Sequence, residues 1–113
     1  MAYVRLQGRG LVYEVDDDMI KEAYGGRRYE IRGNYINELG RGTAYEISGS
    51  YVRSLSSGRW VEVSGGSISV PGYGLMATYD AYRIRTIDGR FDYSIDERLT
   101  STQMKALIGV IFA

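Results

Sequence analysis

The chain has 113 residues, which is enough for one domain with a single modest core. Fourteen basic and fourteen acidic side chains give a formal net charge of zero, which argues against a polybasic membrane binder or a coat for long nucleic acid. Cysteine and histidine are both absent, which excludes disulfides, thiolate metal sites, serine–histidine triads and cysteine nucleophiles. The sequence has no long apolar run and no secretion-signal pattern at its start, so we expect a soluble domain without a membrane partner.

A 16-residue repeat runs through most of the chain. One pair of columns holds a tyrosine or valine followed by glutamate: Tyr13-Glu14, Tyr29-Glu30, Tyr45-Glu46 and Val61-Glu62. A second column holds Ile20, Ile36, Val52, Ile68 and Ile84, and a third holds Gly10, Gly26, Gly42, Gly58 and Gly74. Several columns agree at one fixed spacing, so the repeat is a property of the fold and not of composition.

Each repeat unit has the pattern of a short β-hairpin. In an alternating Tyr-x-Ile segment the tyrosine and isoleucine share one face, which we expect to turn inward, while the glutamate turns outward. Glycine recurs where tight turns need a positive φ, and we expect positive φ at Gly42 and Gly58. Over residues 5–76 this predicts a mainly β fold, an antiparallel meander of about eight strands forming a curled sheet or barrel.

A parallel solenoid with one rung per repeat is the alternative. It would stack Glu14, Glu30, Glu46 and Glu62 about 4.8 Å apart, and like charges at that distance repel one another. In a meander the glutamates are one strand further apart, and arginines such as Arg32, Arg53 and Arg59 are available to lie between them. The charge pattern therefore favours the meander.

The first repeat departs from the pattern, because Asp16, Asp17 and Asp18 occupy its turn. We interpret residues 19–24 as one or two helical turns capped by an aspartate. The three aspartates with Glu22 could hold a hard cation, but they lack the spacing and the glycine of an EF-hand loop, so we expect solvated acids and no metal. The stretches around Gly8 and Gly40 lack the lysine and hydroxyl of a phosphate-binding loop.

The end of the chain predicts two further elements. Residues 79–96 contain two alternating segments around Asp88-Gly89, which is the sequence of a hairpin with a type I′ turn. In residues 101–113, apolar side chains recur at helical spacing after the N-cap candidates Thr100, Ser101 and Thr102, so we expect an amphipathic helix. Such a helix would cover an open side of the sheet or bind a second subunit.

Tyrosine and arginine are the candidate functional residues. The chain has 11 tyrosines, and both residue types are enriched where proteins bind partners. Arginine also pairs with phosphate or carboxylate, and aromatic rings stack on bases or sugars. The predicted binding surface consists of Arg32, Tyr35, Tyr51, Arg53 and Arg59. Cross-strand aromatic packing is the structural alternative for the tyrosines.

We expect a non-catalytic binding or structural-assembly module that associates with itself or with another protein. The alternative is a protein that holds a small anionic, nucleotide-like ligand between arginines and tyrosines; an enzyme that uses carboxylates and tyrosines is a third class. We expect no cofactor and no long nucleic acid as partner. A small neutral chain of this kind suits a viral or mobile-element protein located in the cytoplasm or virion.

Overall fold

A computed structural model describes residues 1–113 as a closed antiparallel barrel of twelve strands with one C-terminal helix. The strands are β1 (Ala2–Leu6), β2 (Gly10–Asp16), β3 (Met19–Glu22), β4 (Arg28–Arg32), β5 (Tyr35–Glu38), β6 (Gly42–Ser48), β7 (Tyr51–Ser54), β8 (Trp60–Ser64), β9 (Ser67–Val70), β10 (Gly74–Asp80), β11 (Arg83–Thr86) and β12 (Asp92–Ile95). The helix, α1, is Ser101–Phe112. Each strand pairs with its neighbours in the sequence, and β12 pairs with β1 to close the barrel. The predicted meander is confirmed.

The repeat accounts for the barrel interior. Six aliphatic side chains at 16-residue intervals are completely buried: Val4, Ile20, Ile36, Val52, Ile68 and Ile84. They belong to one hydrophobic core, in which the inward residues of all the other strands also take part. Alternation along each strand therefore turns the Tyr-x-Ile face inward and the glutamate face outward, as expected.

The repeat extends further than the glycine and glutamate columns indicate. Five hairpins are continuous in the chain, and their strands are joined by two-residue turns, from Asp17-Asp18 to Ala81-Tyr82. The sixth hairpin is divided, because β12 comes from the end of the chain and β1 from its beginning. Three cross-strand pairs, Val4–Ile95, Arg5–Ser94 and Leu6–Tyr93, join them. We call this junction the seam.

The two ends of the barrel are built differently. All two-residue turns lie at one end, here called the turn end; the longer connections lie at the other, the loop end. At the loop end three-residue loops (7–9, 39–41, 71–73) alternate with five-residue loops (23–27, 55–59, 87–91). Register shifts recur in the three pairs that flank the short loops. The barrel therefore has a second period of two hairpins and approximate threefold symmetry.

Glycine supplies the backbone conformation that both ends need. Gly42 follows a short loop at φ +100°, and Gly58 lies in a long loop at φ +74°, so the expected positive φ is confirmed at both positions. At the turn end, Gly33 and Gly49 open their turns at φ +58° and +59°. Residues with a side chain resist this region, so the glycines are a requirement of the turns.

Helix α1 lies inside the barrel. Its residues Ala106, Leu107 and Ile108 are fully buried in the same core as the inward strand residues. Gly109 contacts Val52, which points into the lumen from β7. The predicted helix is confirmed in residues 101–112, but it fills the lumen and does not cover an open side of the sheet.

The helix starts at the turn end. Thr100 is the N-cap and forms a capping box with Gln103: the Thr100 Oγ1 accepts from the Gln103 N–H, and the Thr100 N–H donates to Gln103 Oε1. Side chains at the start of the helix then bond to the turns. The Gln103 Nε2 donates to the Asp17 carbonyl at 2.6 Å, and the Lys105 Nζ donates to the Gly49 carbonyl at 3.0 Å. These bonds fix the depth of the helix in the lumen.

Two local predictions were wrong. Residues 19–22 form strand β3 and not a helical turn, because Ile20 fills the inward column and pairs with Val15 and Tyr29 on the neighbouring strands. Asp17 takes the turn position at φ 54°, where later repeats have glycine. The turn at Asp88-Gly89 is not type I′, since only Gly89 has positive φ and the loop contains five residues.

Candidate functional site

An aromatic and charged patch covers the outer wall formed by β5, β6, β7 and β8. Its members are Tyr35, Glu46, Tyr51, Arg53 and Trp60, which we call the wall patch. Cross-strand pairing places them together: Tyr35 lies opposite Glu46, Glu46 opposite Arg53, and Arg53 opposite Trp60. They face outward because their neighbours Ile36, Ile47, Val52 and Val61 face the core.

Arg53 is the centre of the wall patch. Its Nη2 donates to Glu46 Oε1 at 2.8 Å, and its guanidinium carbon lies 5.6 Å from the centre of the Trp60 ring. Tyr51 meets the same ring edge-on, with the ring centres 5.5 Å apart. The Trp60 side chain is 42% exposed although two neighbours hold it. The patch therefore presents a large aromatic surface in a fixed orientation.

The polar groups of Arg53 are incompletely satisfied. Its Nε is buried and has no hydrogen-bond partner, while its Nη2 bonds to Glu46. The pair is partly open to solvent, with side-chain exposures of 39% for Arg53 and 28% for Glu46. A solvent-accessible ion pair stabilises a fold only slightly, so its main effect here is to orient the guanidinium across the tryptophan.

The structure brings together four of the five predicted binding residues. Tyr35, Tyr51 and Arg53 belong to the wall patch, and Arg32 lies opposite Tyr35 at its margin, where it bonds to Glu30 at 2.6 Å. Arg59 lies apart, in a loop at the loop end, where it flanks a depression lined by Val70, Tyr73 and Met76. Trp60 and Glu46 were not predicted as site residues. Trp60 belongs to the patch because β7 pairs with β8. The repeat columns alone do not indicate this contact.

A second polar cluster lies on the opposite wall, beside the seam. Arg83 binds Asp92 through two bonds, of 2.9 and 2.7 Å, and Arg85 reaches the same carboxylate at 3.3 Å. The bonds from Arg83 hold the pKa of Asp92 below its ordinary value. Arg5 lies across the seam, 3.9 Å from Asp96. Arg5 and Arg83 border an open groove of about 750 Å³, which we call the seam groove.

A break in the repeat could have indicated the seam groove. After four glutamates, Thr78 and Ser94 hold the next two positions of the glutamate column. The residues that lie opposite Thr78 and Ser94 in the sheet include Arg5, Arg83 and Arg85. This outward column therefore carries glutamate on the early strands, whereas arginines lie opposite its uncharged members near the seam.

The first tyrosine column points into the barrel. Tyr13, Tyr29 and Tyr45 are joined by Tyr93 from β12, and all four lie in or against the core. The rings of Tyr29 and Tyr45 are 6.1 Å apart. Burial is the main cause that raises the pKa of each of these hydroxyls, and it raises that of Tyr13 to about 12. These tyrosines pack the lumen, so of the two repeated tyrosine columns only the second, with Tyr35 and Tyr51, faces outward.

The acidic side chains form no cluster of three or more that could hold a metal ion. The single helix is too short to cross a membrane. Comparison with protein-family models, curated protein sequences and solved structures finds no significant match.

Proposed function

We propose that the protein is a non-catalytic assembly module that associates with itself through the wall patch. The observation that carries the proposal is the exposed Trp60 ring, held between Arg53 and Tyr51 on a rigid sheet. Tryptophan, tyrosine and arginine contribute most of the binding energy where they cluster in protein interfaces. Because their orientation is already fixed, these side chains lose little freedom on binding.

The charges of the wall patch suit a second copy. A twofold contact places one surface against itself, so that surface must contain both members of each complementary pair. The patch and its margin carry Glu46 and Glu62 together with Arg32 and Arg53. An arginine of one copy can therefore meet a glutamate of the other while the aromatic rings pack at the centre.

Sedimentation velocity over a range of protein concentrations tests this proposal. The wild-type chain should form a dimer, and Tyr51→Ala combined with Arg53→Ala should weaken dimerisation by ~2 kcal/mol or more. The melting temperature of the variant at low concentration should change by only a few degrees, because both side chains lie on the outer face.

Arg5→Ala is the matched control. Arg5 lies over the Tyr3 ring at 5.7 Å on the opposite wall, so this variant removes an equivalent arginine–aromatic contact outside the patch. It should leave the dimer unchanged. A wild-type chain that remains monomeric at all concentrations, or a dimer that Arg5→Ala and the double variant weaken equally, would contradict the proposal.

The second candidate function is binding of a small anionic ligand, favoured by the seam groove. Arg5 and Arg83 border it together with Tyr82, which matches the predicted combination of arginine and tyrosine although at other residues. A nucleotide at saturating concentration should raise the melting temperature of the wild type but not of Arg83→Ala. A melting temperature that no nucleotide changes would rule out this ligand class.

A further inference from the structure

Exposed apolar side chains are concentrated at the loop end of the barrel. Six of the eleven exposed large hydrophobic residues lie in its loops: Tyr24, Leu39, Leu55, Tyr73, Ile87 and Phe91. They come from five of the six loops, so they surround the mouth of the barrel. Of the eleven exposed large hydrophobic residues, only Met1 and Tyr82 are at the turn end. Exposed apolar residues in one continuous region mark a binding surface.

The net charge of zero hides a separation of charge along the barrel axis. The six loops of the loop end carry Arg9, Arg27, Arg41, Arg59 and Arg90 against Asp88, and Glu38 at the end of β5 pairs with Arg27 and Arg41. The turns and the 96–100 segment of the turn end carry Asp17, Asp18, Asp96 and Glu97 against Arg98. Arg9, Arg59 and Arg90 have no ion pair within the chain. The apolar mouth is therefore also the basic end.

A second copy of the chain does not fit this surface. Two loop ends face to face would bring their unpaired arginines together, and like charges repel. If a loop end met a turn end, their opposite charges would attract. The turn end, however, would offer only Met1 and Tyr82 to the apolar side chains of the loop end. The occupant must therefore be both anionic and apolar.

We propose, in contrast to the expectation from the sequence that there is no membrane partner, that the loop end binds the surface of an anionic lipid bilayer. The leucine, isoleucine and phenylalanine side chains would enter the boundary between headgroups and acyl chains, where tyrosine is also favoured. The unpaired arginines would lie among the lipid phosphates, and an anionic surface attracts each such cation. The acidic turn end then points away from the bilayer. This inference does not depend on the wall patch, which lies on the side of the barrel.

Vesicle flotation tests the proposal, with vesicles of phosphatidylcholine alone and vesicles that also contain phosphatidylserine. The wild-type chain should bind the phosphatidylserine vesicles more strongly, and added salt should weaken that binding. The variant Tyr73→Ser with Arg90→Ser should bind about tenfold more weakly, because one anchor and one cation are removed. Both residues are exposed, so the melting temperature should be unchanged.

The matched control removes the same two residue types from the turn end, as Tyr82→Ser with Arg98→Ser. It should bind vesicles like the wild type. Three results would overturn the proposal: no binding to phosphatidylserine vesicles, equal binding to both vesicle types, or equal loss in both double variants. Vesicle-free aggregation that only the Tyr73 and Arg90 variant removes, with no vesicle binding, would assign the loop end to a protein contact instead.

Discussion

Gly58 shows how one backbone angle restricts a single residue. It lies at φ +74° in a five-residue loop, and a Cβ added there would meet no atom within 4 Å. Any cost of substitution therefore comes from the backbone conformation and not from a clash. Gly58→Val should lower the free energy of unfolding by at least ~1 kcal/mol, measured by urea denaturation.

Gly58→Asn is the control for this prediction, because asparagine tolerates positive φ better than valine does. It should recover part of the loss. Equal midpoints for the wild type and Gly58→Val would show that the loop adopts another conformation in solution.

The Tyr13 hydroxyl should make the protein sensitive to alkali. Its pKa is raised from the ordinary 10.0 to about 12, mainly by burial, so the unfolded chain loses this proton at lower pH than the folded chain. The associated stability is complete below pH 10.0 and falls as the pH rises towards about 12. Tyr13→Phe should reduce the slope of unfolding free energy against pH in that window, and an unchanged slope would contradict the assignment.

At the scale of the element, α1 is positioned by a close contact between Gly109 and the barrel wall. A Cβ on Gly109 would lie 2.5 Å from Val52 Cγ1, and Val52 is fully buried and branched at Cβ. Alanine favours a helix over glycine by about 1 kcal/mol, but overpacking a core costs about 1–3 kcal/mol. Gly109→Ala should therefore destabilise the protein in urea denaturation.

Val52→Ala should make room for the added methyl group. The double variant should then be more stable than the sum of the two single changes predicts, which a double-mutant cycle measures. Additive effects would show that the helix shifts away from β7 without cost.

The elements differ in how far the sequence could predict them. The capping residue and the apolar spacing of α1 belong to its own sequence, so its existence was predictable. Its position in the lumen was not predictable in this way, because it depends on the diameter of the barrel, which the helix sequence does not determine. At β3 the preceding aspartates favoured a helical turn, but hydrogen bonding to β2 and β4 makes the segment a strand. The inward column that contains Ile20 predicts this strand correctly.

At the scale of the whole molecule, the repeat alone does not predict that the barrel has twelve strands. Residues 2–6 and 92–95 occupy the two halves of a repeat, but no continuous segment shows that they pair. For the same reason the sequence does not indicate that Arg5 and Arg83 border one groove, since they become neighbours only when the barrel closes. The wall patch was more predictable, because its members lie on four consecutive strands.

A disulfide should stabilise the barrel most when it is placed across the seam. Arg5 and Ser94 lie directly opposite each other, at a separation that a disulfide can span. The chain has no other cysteine, so Arg5→Cys with Ser94→Cys should form one bond. Because this bond closes a loop of nearly the whole barrel, the oxidised form should be about 2–4 kcal/mol more stable than the reduced form.

Thr78→Cys with Arg85→Cys provides the comparison. These residues occupy the equivalent pair in a continuous hairpin, so their disulfide closes only a short loop. It should stabilise the protein less than the seam disulfide, as measured by urea denaturation with and without reductant. Equal gains would show that the barrel does not open at the seam when it unfolds.

The divided sixth hairpin also determines when the chain can finish folding. Contacts between neighbouring strands form locally and rapidly, but β1 must wait for β12, from which ten other strands separate it in the sequence. Until then both strands have an unpaired edge, and an open edge can pair with another chain. At high chain concentration β12 of one molecule can complete the barrel of a second, giving an exchanged dimer with the native contacts. Refolding at low chain concentration should therefore favour the closed monomeric barrel over the exchanged form.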